Sequence, residues 1–259
     1  MGIIIKSPAE IELLRSACQV TVNILDQLSD FIEPGLSTED INSFVHAETI
    51  KQGARPAPLN YRGFPKSVCT SINEVVCHGI PSSSVKLKAG DIINVDITSI
   101  KNGFYGDSSR MFFVGGRDSC SEESVRLVDL TKEALEVGIS VVKPGARIGD
   151  IGAAIKKFIH KAPAQYGIVR DYTGHGIGRN FHEEPQIIHT DKAGTGPRIK
   201  EGMTFTIEPM INLGTAETSL SQLDNWTVRT ADGKLSAQWE HTLAVTAEGV
   251  DVLTQTKIA

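Results

Sequence analysis

Residues 91–114 read Asp-Ile-Ile-Asn-Val-Asp-Ile-Thr-Ser-Ile-Lys-Asn-Gly-Phe-Tyr-Gly-Asp-Ser-Ser-Arg-Met-Phe-Phe-Val. Asp91 to Ile100 is rich in β-branched residues, Phe104 to Val114 is a return strand, and Asn102-Gly103 between them signals a tight hairpin. A two-residue turn sets Lys101 opposite Phe104, Thr98 opposite Asp107 and Asp96 opposite Ser109. Side chains alternate along a strand, so Asp96, Thr98, Asp107 and Ser109 share one face. Asp96 and Asp107 become diagonal neighbours, roughly 7–8 Å apart at Cα. Two carboxylates at that reach converge on a common cation or repel. The apolar neighbours of Asp96 predict that it is buried and needs a partner.

The flanking chain is helical. Ser7-Pro8-Ala9-Glu10 reads as an N-cap, a first-turn proline and a capping box, followed by Leu14, Cys18, Leu25 and Leu28 at helical spacing. Pro34-Gly35 stops that helix, and Ser37-Thr38-Glu39-Asp40 opens a second that runs out near Gly53. Ser121 starts a third, ended by Pro144-Gly145, and Ile151 to Ile159 forms a fourth. Met203 to Ile207 and Leu235 to Thr246 read as further strands.

This order repeats. Asp40-Ile41 follows Pro34-Gly35 as Asp150-Ile151 follows Pro144-Gly145. His78-Gly79-Ile80 is matched by His175-Gly176-Ile177. Gly90 precedes a strand with Asp96 six residues on, and Gly202 precedes one with Glu208 at the same distance. The chain therefore reads as two similar α+β halves, roughly 1–118 and 119–259, forming a single domain over 1–259 with a pseudo-twofold axis. Asp96 and Glu208 would meet at that axis, each half adding a second acid, Asp107 or Glu240.

Composition narrows the classes. The 259 residues are 40% hydrophobic and 22% charged, a globular balance. A formal charge of −5 argues against a nucleic-acid or membrane-surface binder. The four cysteines include no CxxC pair and make no disulfide framework, as in a reducing compartment. The N-terminal apolar run is too short for a signal peptide, and no run approaches a membrane span, so a cytoplasmic protein is expected.

Three of the seven histidines sit in unusual contexts: His78 before Gly79, His175 between Gly174 and Gly176, and His182 after Phe181. Flanking glycines let a ligand approach closely. His46, His160, His189 and His241 read as surface or packing residues. The G-x-x-x-x-G-K-[ST] phosphate loop is absent. Four acids with one imidazole make an oxygen-rich site suited to Mn²⁺, Fe²⁺ or Co²⁺, with Zn²⁺ or Ni²⁺ as alternatives. Four carboxylates match two divalent ions about 3.5–4 Å apart, which activate water and polarise a carbonyl. That is the chemistry of amide hydrolysis.

The chain resembles type I methionine aminopeptidases of the bacterial short form, without a Cys/His-rich N-terminal extension. The stretches that carry the likeness are Pro65–Cys69, Ser71–Pro81, Gly174–Gly178, Phe181–Pro185 and Gly202–Met210. The resemblance implies the pita-bread fold, two α+β halves around a central antiparallel sheet. It implies metal ligands at Asp96, Asp107, His175, Glu208 and Glu240, with Asp107 and Glu240 bridging two ions. His182 would bind the substrate carbonyl and its oxyanion, His78 the amide nitrogen, and Glu208 would shuttle protons. Tyr61, Phe64, Cys69, Phe181 and Trp226 would line a methionine pocket, with Thr98 completing the substrate set. Asn73, Val75 and Ser236 match a monovalent-cation site for Na⁺ or K⁺. Phe64 and Pro58 stand where bacterial relatives often have Tyr and Cys, which touches pocket shape.

The implied reaction removes the N-terminal methionine of nascent proteins and peptides, preferably before a small uncharged residue. The implied protein is a monomer whose partners are its substrate and the ribosome. The alternatives are a proline-type exopeptidase of the same fold or a non-catalytic pita-bread binding protein. The first usually carries an extra N-terminal domain, and the second loses metal ligands.

Overall fold

A computed structural model describes residues 2–256. Helix α1 spans Pro8–Phe31, α2 Thr38–Lys51, α3 Glu122–Ser140 and α4 Ile148–Ile159. The capping box expected at Ser7 is present, with the Ser7 N–H donating to Glu10 and the Glu10 N–H to the Ser7 hydroxyl. Helix α4 starts three residues before the expected Ile151. Asp150 there accepts the Arg147 N–H at 2.8 Å, as Asp40 accepts the Ser37 N–H at 2.7 Å before α2. The cap, and not the first apolar residue, sets the start.

The hairpin has the expected register. Strand Ile92–Lys101 pairs antiparallel with Phe104–Phe113, placing Lys101 opposite Phe104, Thr98 opposite Asp107 and Asp96 opposite Ser109. Asn102 and Gly103 both have positive φ, 53° and 76°, which the tight turn demands. Ile92–Lys101 also pairs with Cys69–Ile72 and with Arg55–Pro56. A second sheet runs, in spatial order, Val250–Val252, His241–Val245, Thr204–Ile207, Gly174–Gly176 and Glu183–Ile187.

The repeat is visible in hydrogen bonds. Gly35 N–H donates to Leu87 O at 2.8 Å, and its counterpart Gly145 N–H to Ile199 O at 3.0 Å. Leu87 and Ile199 return 2.8 Å bonds to Leu36 and Ala146. One core packs α1 and α2 on the hairpin through Ile24, Leu28, Ile41, Val95 and Ile97. Another packs α3 and α4 on the second sheet through Leu135, Ile151, Ile155, Phe205 and Ile207.

The expected strand Leu235–Thr246 is broken into Ser236–Gln238 and His241–Val245. At the break Glu240 N–H donates to Ser109 O at 3.2 Å, and Ser108 Oγ donates to Glu240 O at 2.7 Å. The chain leaves its own ladder there to stitch onto the hairpin, so the two main sheets meet at a seam instead of forming one continuous sheet. Among the described residues no helix is long and apolar enough to cross a membrane.

Candidate metal centre

The seam carries the acids. Asp107 and Glu240 are buried, 4% and 2% exposed, and with His175 they bring ligand atoms within 4.8 Å of one another. His175 Nε2 lies 3.7 Å from Asp107 Oδ2 and 3.7 Å from Glu208 Oε1. Asp96 lines the same cavity but falls outside that tight trio. Its carboxyl is desolvated as expected, while the residue as a whole is half-buried because its end of the hairpin face forms the cavity wall.

Each ligand candidate is held by its neighbours. His175 Nδ1 lies 3.0 Å from Gly176 O, an acceptor only, so Nδ1 carries the proton and the Nε2 lone pair faces the acids. Thr206 Oγ1 accepts the His175 N–H at 3.1 Å and donates to Glu208 Oε1 at 2.9 Å. Gln238 Nε2 donates to Glu208 Oε2 at 3.2 Å. Thr98 Oγ1 donates to Asp107 Oδ1 at 2.7 Å, and Thr242 Oγ1 to Asp107 O at 2.7 Å.

Burial pushes the Asp96 carboxyl up to about 7. Burial first, and then the neighbouring acids, hold Asp107, Glu208 and Glu240 well above the usual carboxylate range. Burial lowers His175 and His78 to about 4, so both are neutral at pH 7. Four crowded acids with one unprotonated imidazole nitrogen fit a cation, which lets all four ionise. Cys69 reaches the cavity wall, but burial keeps its thiol protonated.

The cavity, about 290 Å³, is lined by Tyr61, Phe64, Cys69, His78, Asp96, Thr98, Asp107, His175, Phe181, His182, Glu208, Trp226 and Glu240. Every residue expected in the catalytic, methionine-pocket and divalent-metal sets is therefore in one place. Pro58, Arg62 and Tyr172 line it too. Phe64 and Trp226 meet edge to face at 5.2 Å, and Tyr61 and Phe181 lie 4.9 Å apart. Tyr61 Oη is 3.0 Å from His182 Nδ1, and the His175 and His182 rings are 4.2 Å apart. His78, with a left-handed φ of 57°, stands edge-on to Tyr172 and Trp226.

Asn73, Val75 and Ser236 are outside the cavity but adjoin one another, with Ser236 N–H donating to Asn73 O at 2.9 Å. The sequence reading missed His189. It is 1% exposed, and its Nε2 accepts the Glu208 N–H at 3.2 Å. Its only sequence signal is its place directly after Ile187-Ile188, which reads equally well as packing.

Residues 12–247 match the metallopeptidase family M24. The chain is 53% identical to methionine aminopeptidase A of Synechocystis, covering 96% of each chain. It is 47% identical to a methionine aminopeptidase of Escherichia coli, over 99% of this chain and 96% of that one. The crystal structure of methionine aminopeptidase from Rickettsia prowazekii superimposes with a TM-score of 0.94 at 48% identity, covering 98% and 100%.

Proposed function

The chain belongs to metallopeptidase family M24 and to the methionine aminopeptidases within it, and from that premise we propose that it removes the N-terminal methionine of peptides and nascent chains. The observation that carries the proposal is the clustering of Asp107, His175 and Glu240 on a cavity walled by His78, His182 and an aromatic pocket.

Asp96, Asp107, His175, Glu208 and Glu240 would hold two divalent ions, drawn from Mn, Fe, Co, Zn and Ni. Asp107 and Glu240 would serve both ions, Asp96 would hold one, and His175 with Glu208 would hold the other. The oxygen-rich donor set supports that reading. A bound pair supplies a Lewis acid for the scissile carbonyl and a nucleophilic water at neutral pH.

The residues of the chain do the rest. Tyr61, Phe64, Cys69, Phe181 and Trp226 enclose the methionine side chain, since ring edges and faces suit a thioether. Thr98 fixes the Asp107 carboxylate and borders the substrate. With the Tyr61 hydroxyl donating to His182 Nδ1, Nε2–H is left to donate to the developing oxyanion. His78 binds the scissile amide nitrogen. Glu208, oriented by Thr206 and Gln238, moves a proton between the attacking water and the leaving amine.

Asn73, Val75 and Ser236 would bind Na⁺ or K⁺. The Ser236 hydroxyl is buried without a hydrogen-bond partner, which supports an oxygen-seeking occupant. We further take 1–259 as one domain whose halves meet near residue 118, acting as a cytoplasmic monomer on nascent chains with the ribosome as a partner.

The test is methionine release from Met-Ala-Ser and Met-Leu-Ser peptides, after chelation and again with Mn²⁺ or Co²⁺. We expect release only with metal, and far faster from the alanine peptide. No release with Mn²⁺ or Co²⁺, or with Fe²⁺, Zn²⁺ or Ni²⁺ supplied in the same way, would overturn the activity, and equal rates would overturn the preference for a small second residue. Glu208→Ala and His78→Ala each lower kcat; full activity in either would refute the role given to that residue.

A further inference from the structure

The arm that precedes α1 lies against the outer side of the loop joining the Gly174–Gly176 and Glu183–Ile187 strands. Lys6 N–H donates to Gly202 O at 2.8 Å. The lysine stem crosses Gly178 so closely that a Cβ there would sit 2.5 Å from Lys6 Cε and 2.9 Å from Nζ. The ammonium forms an ion pair with Glu183 Oε2, the two side chains being 3% and 4% exposed. The other oxygen of Glu183 accepts the Asn180 N–H at 3.1 Å and the Asn180 amide at 3.3 Å. One carboxylate thus closes the loop on itself and fastens it to the arm.

Other contacts hold the same loop from the same side. Tyr105 N–H donates to Gly178 O at 2.9 Å. The Arg179 guanidinium lies 4.4 Å from the centre of the Phe104 ring and 3.5 Å from Glu10 Oε1. The loop tip, Phe181 and His182, lines the cavity, whereas Lys6 and Glu183 do not. His182 is joined to Glu183 by a peptide bond, so whatever fixes Glu183 limits where the imidazole can move.

A buried ion pair is a poor source of net stability, because desolvating two charges offsets their attraction. Its strength is geometric: it permits one arrangement of the backbone that carries it. We propose that Lys6 is a positioning residue for catalysis, acting through Glu183 to hold the His182 imidazole where oxyanion charge develops. This rests on the role given above to His182.

The test is a kinetic cycle on the metal-loaded enzyme with a Met-Ala-Ser peptide. K6M alone strands a buried carboxylate, so the working variant is K6M/E183Q, which removes both charges, with its fold checked by circular dichroism and thermal melting. We expect kcat to fall roughly 10- to 100-fold, the cost of a misplaced group, with a much smaller rise in KM, because of the pocket residues only Phe181 lies on this loop. In a His182→Ala background the same pair of changes should lower kcat by less than about twofold, since the group being positioned is gone. Equal losses in both backgrounds, or wild-type kcat in a folded K6M/E183Q, would overturn the proposal. Full activity of His182→Ala itself would instead refute the role of His182.

Discussion

Glu208 is suspended from its backbone as well as its side chain. His189 Nε2 accepts the Glu208 N–H at 3.2 Å in a fully dry setting, and burial lowers the imidazole to about 3, keeping that lone pair free. Replacing His189 by Leu fills most of the space but leaves a buried N–H without an acceptor. The expected cost is about 1–3 kcal/mol, read from urea unfolding of the metal-free protein; an unchanged unfolding midpoint would refute the contact. The Thr206 hydroxyl serves two masters, accepting from His175 and donating to Glu208, so one side chain sets the spacing of two ligand candidates. None of this was legible in the sequence. His189, Thr206 and Gln238 are ordinary strand and loop residues until the fold brings them behind Glu208. The acids themselves were legible, because the repeat aligned them.

At the scale of elements, α1 crosses the hairpin at Gly106. A Cβ at that position would meet Cys18 N at 2.3 Å and Ala17 C at 2.4 Å, backbone atoms that cannot turn aside. Gly106→Ala must push the helix off the strand that carries Asp107. We expect a loss of about 1–3 kcal/mol, a fall in Tm of roughly 3–10 °C. Gly249→Ala, where a new Cβ meets nothing within 4 Å, should leave Tm unchanged. A Gly106→Ala protein as stable as wild type would show that the helix can move at little cost. The N-caps of α1, α2 and α3 and the Asn102-Gly103 turn were readable because each is decided within four residues. The break at Trp239-Glu240 was not, because it is decided by hydrogen bonds to Ser108 and Ser109 on the other half. The desolvation of Asp96 was readable from its apolar neighbours, but the cavity across the strand was not.

For the whole molecule, protons and cations compete for the same acids. The folded-state values of Asp96, Asp107, Glu208 and Glu240 are raised. In the metal-free protein their contribution to stability is full below the unfolded carboxyl values near 4 and is lost as pH rises toward and past 7. The histidines run the other way. His78 and His175, depressed to about 4, favour the fold above pH 6.5 and cease to as pH falls through 4. A bound cation replaces the protons on the acids and, near pH 4, the one on His175 Nε2, so the Tm difference between metal-loaded and chelated protein should widen from pH 4 to pH 7. Melting both forms across that range checks it, and a constant difference would count against a carboxylate-held metal. The seam also has a bearing on how the protein is made. Asp96 and Asp107 are made well over a hundred residues before Glu240, whose N–H must find Ser109 O. A chain that stops short of residue 240 lacks one of the acids at the seam, so the candidate metal centre is complete only after both halves have been made.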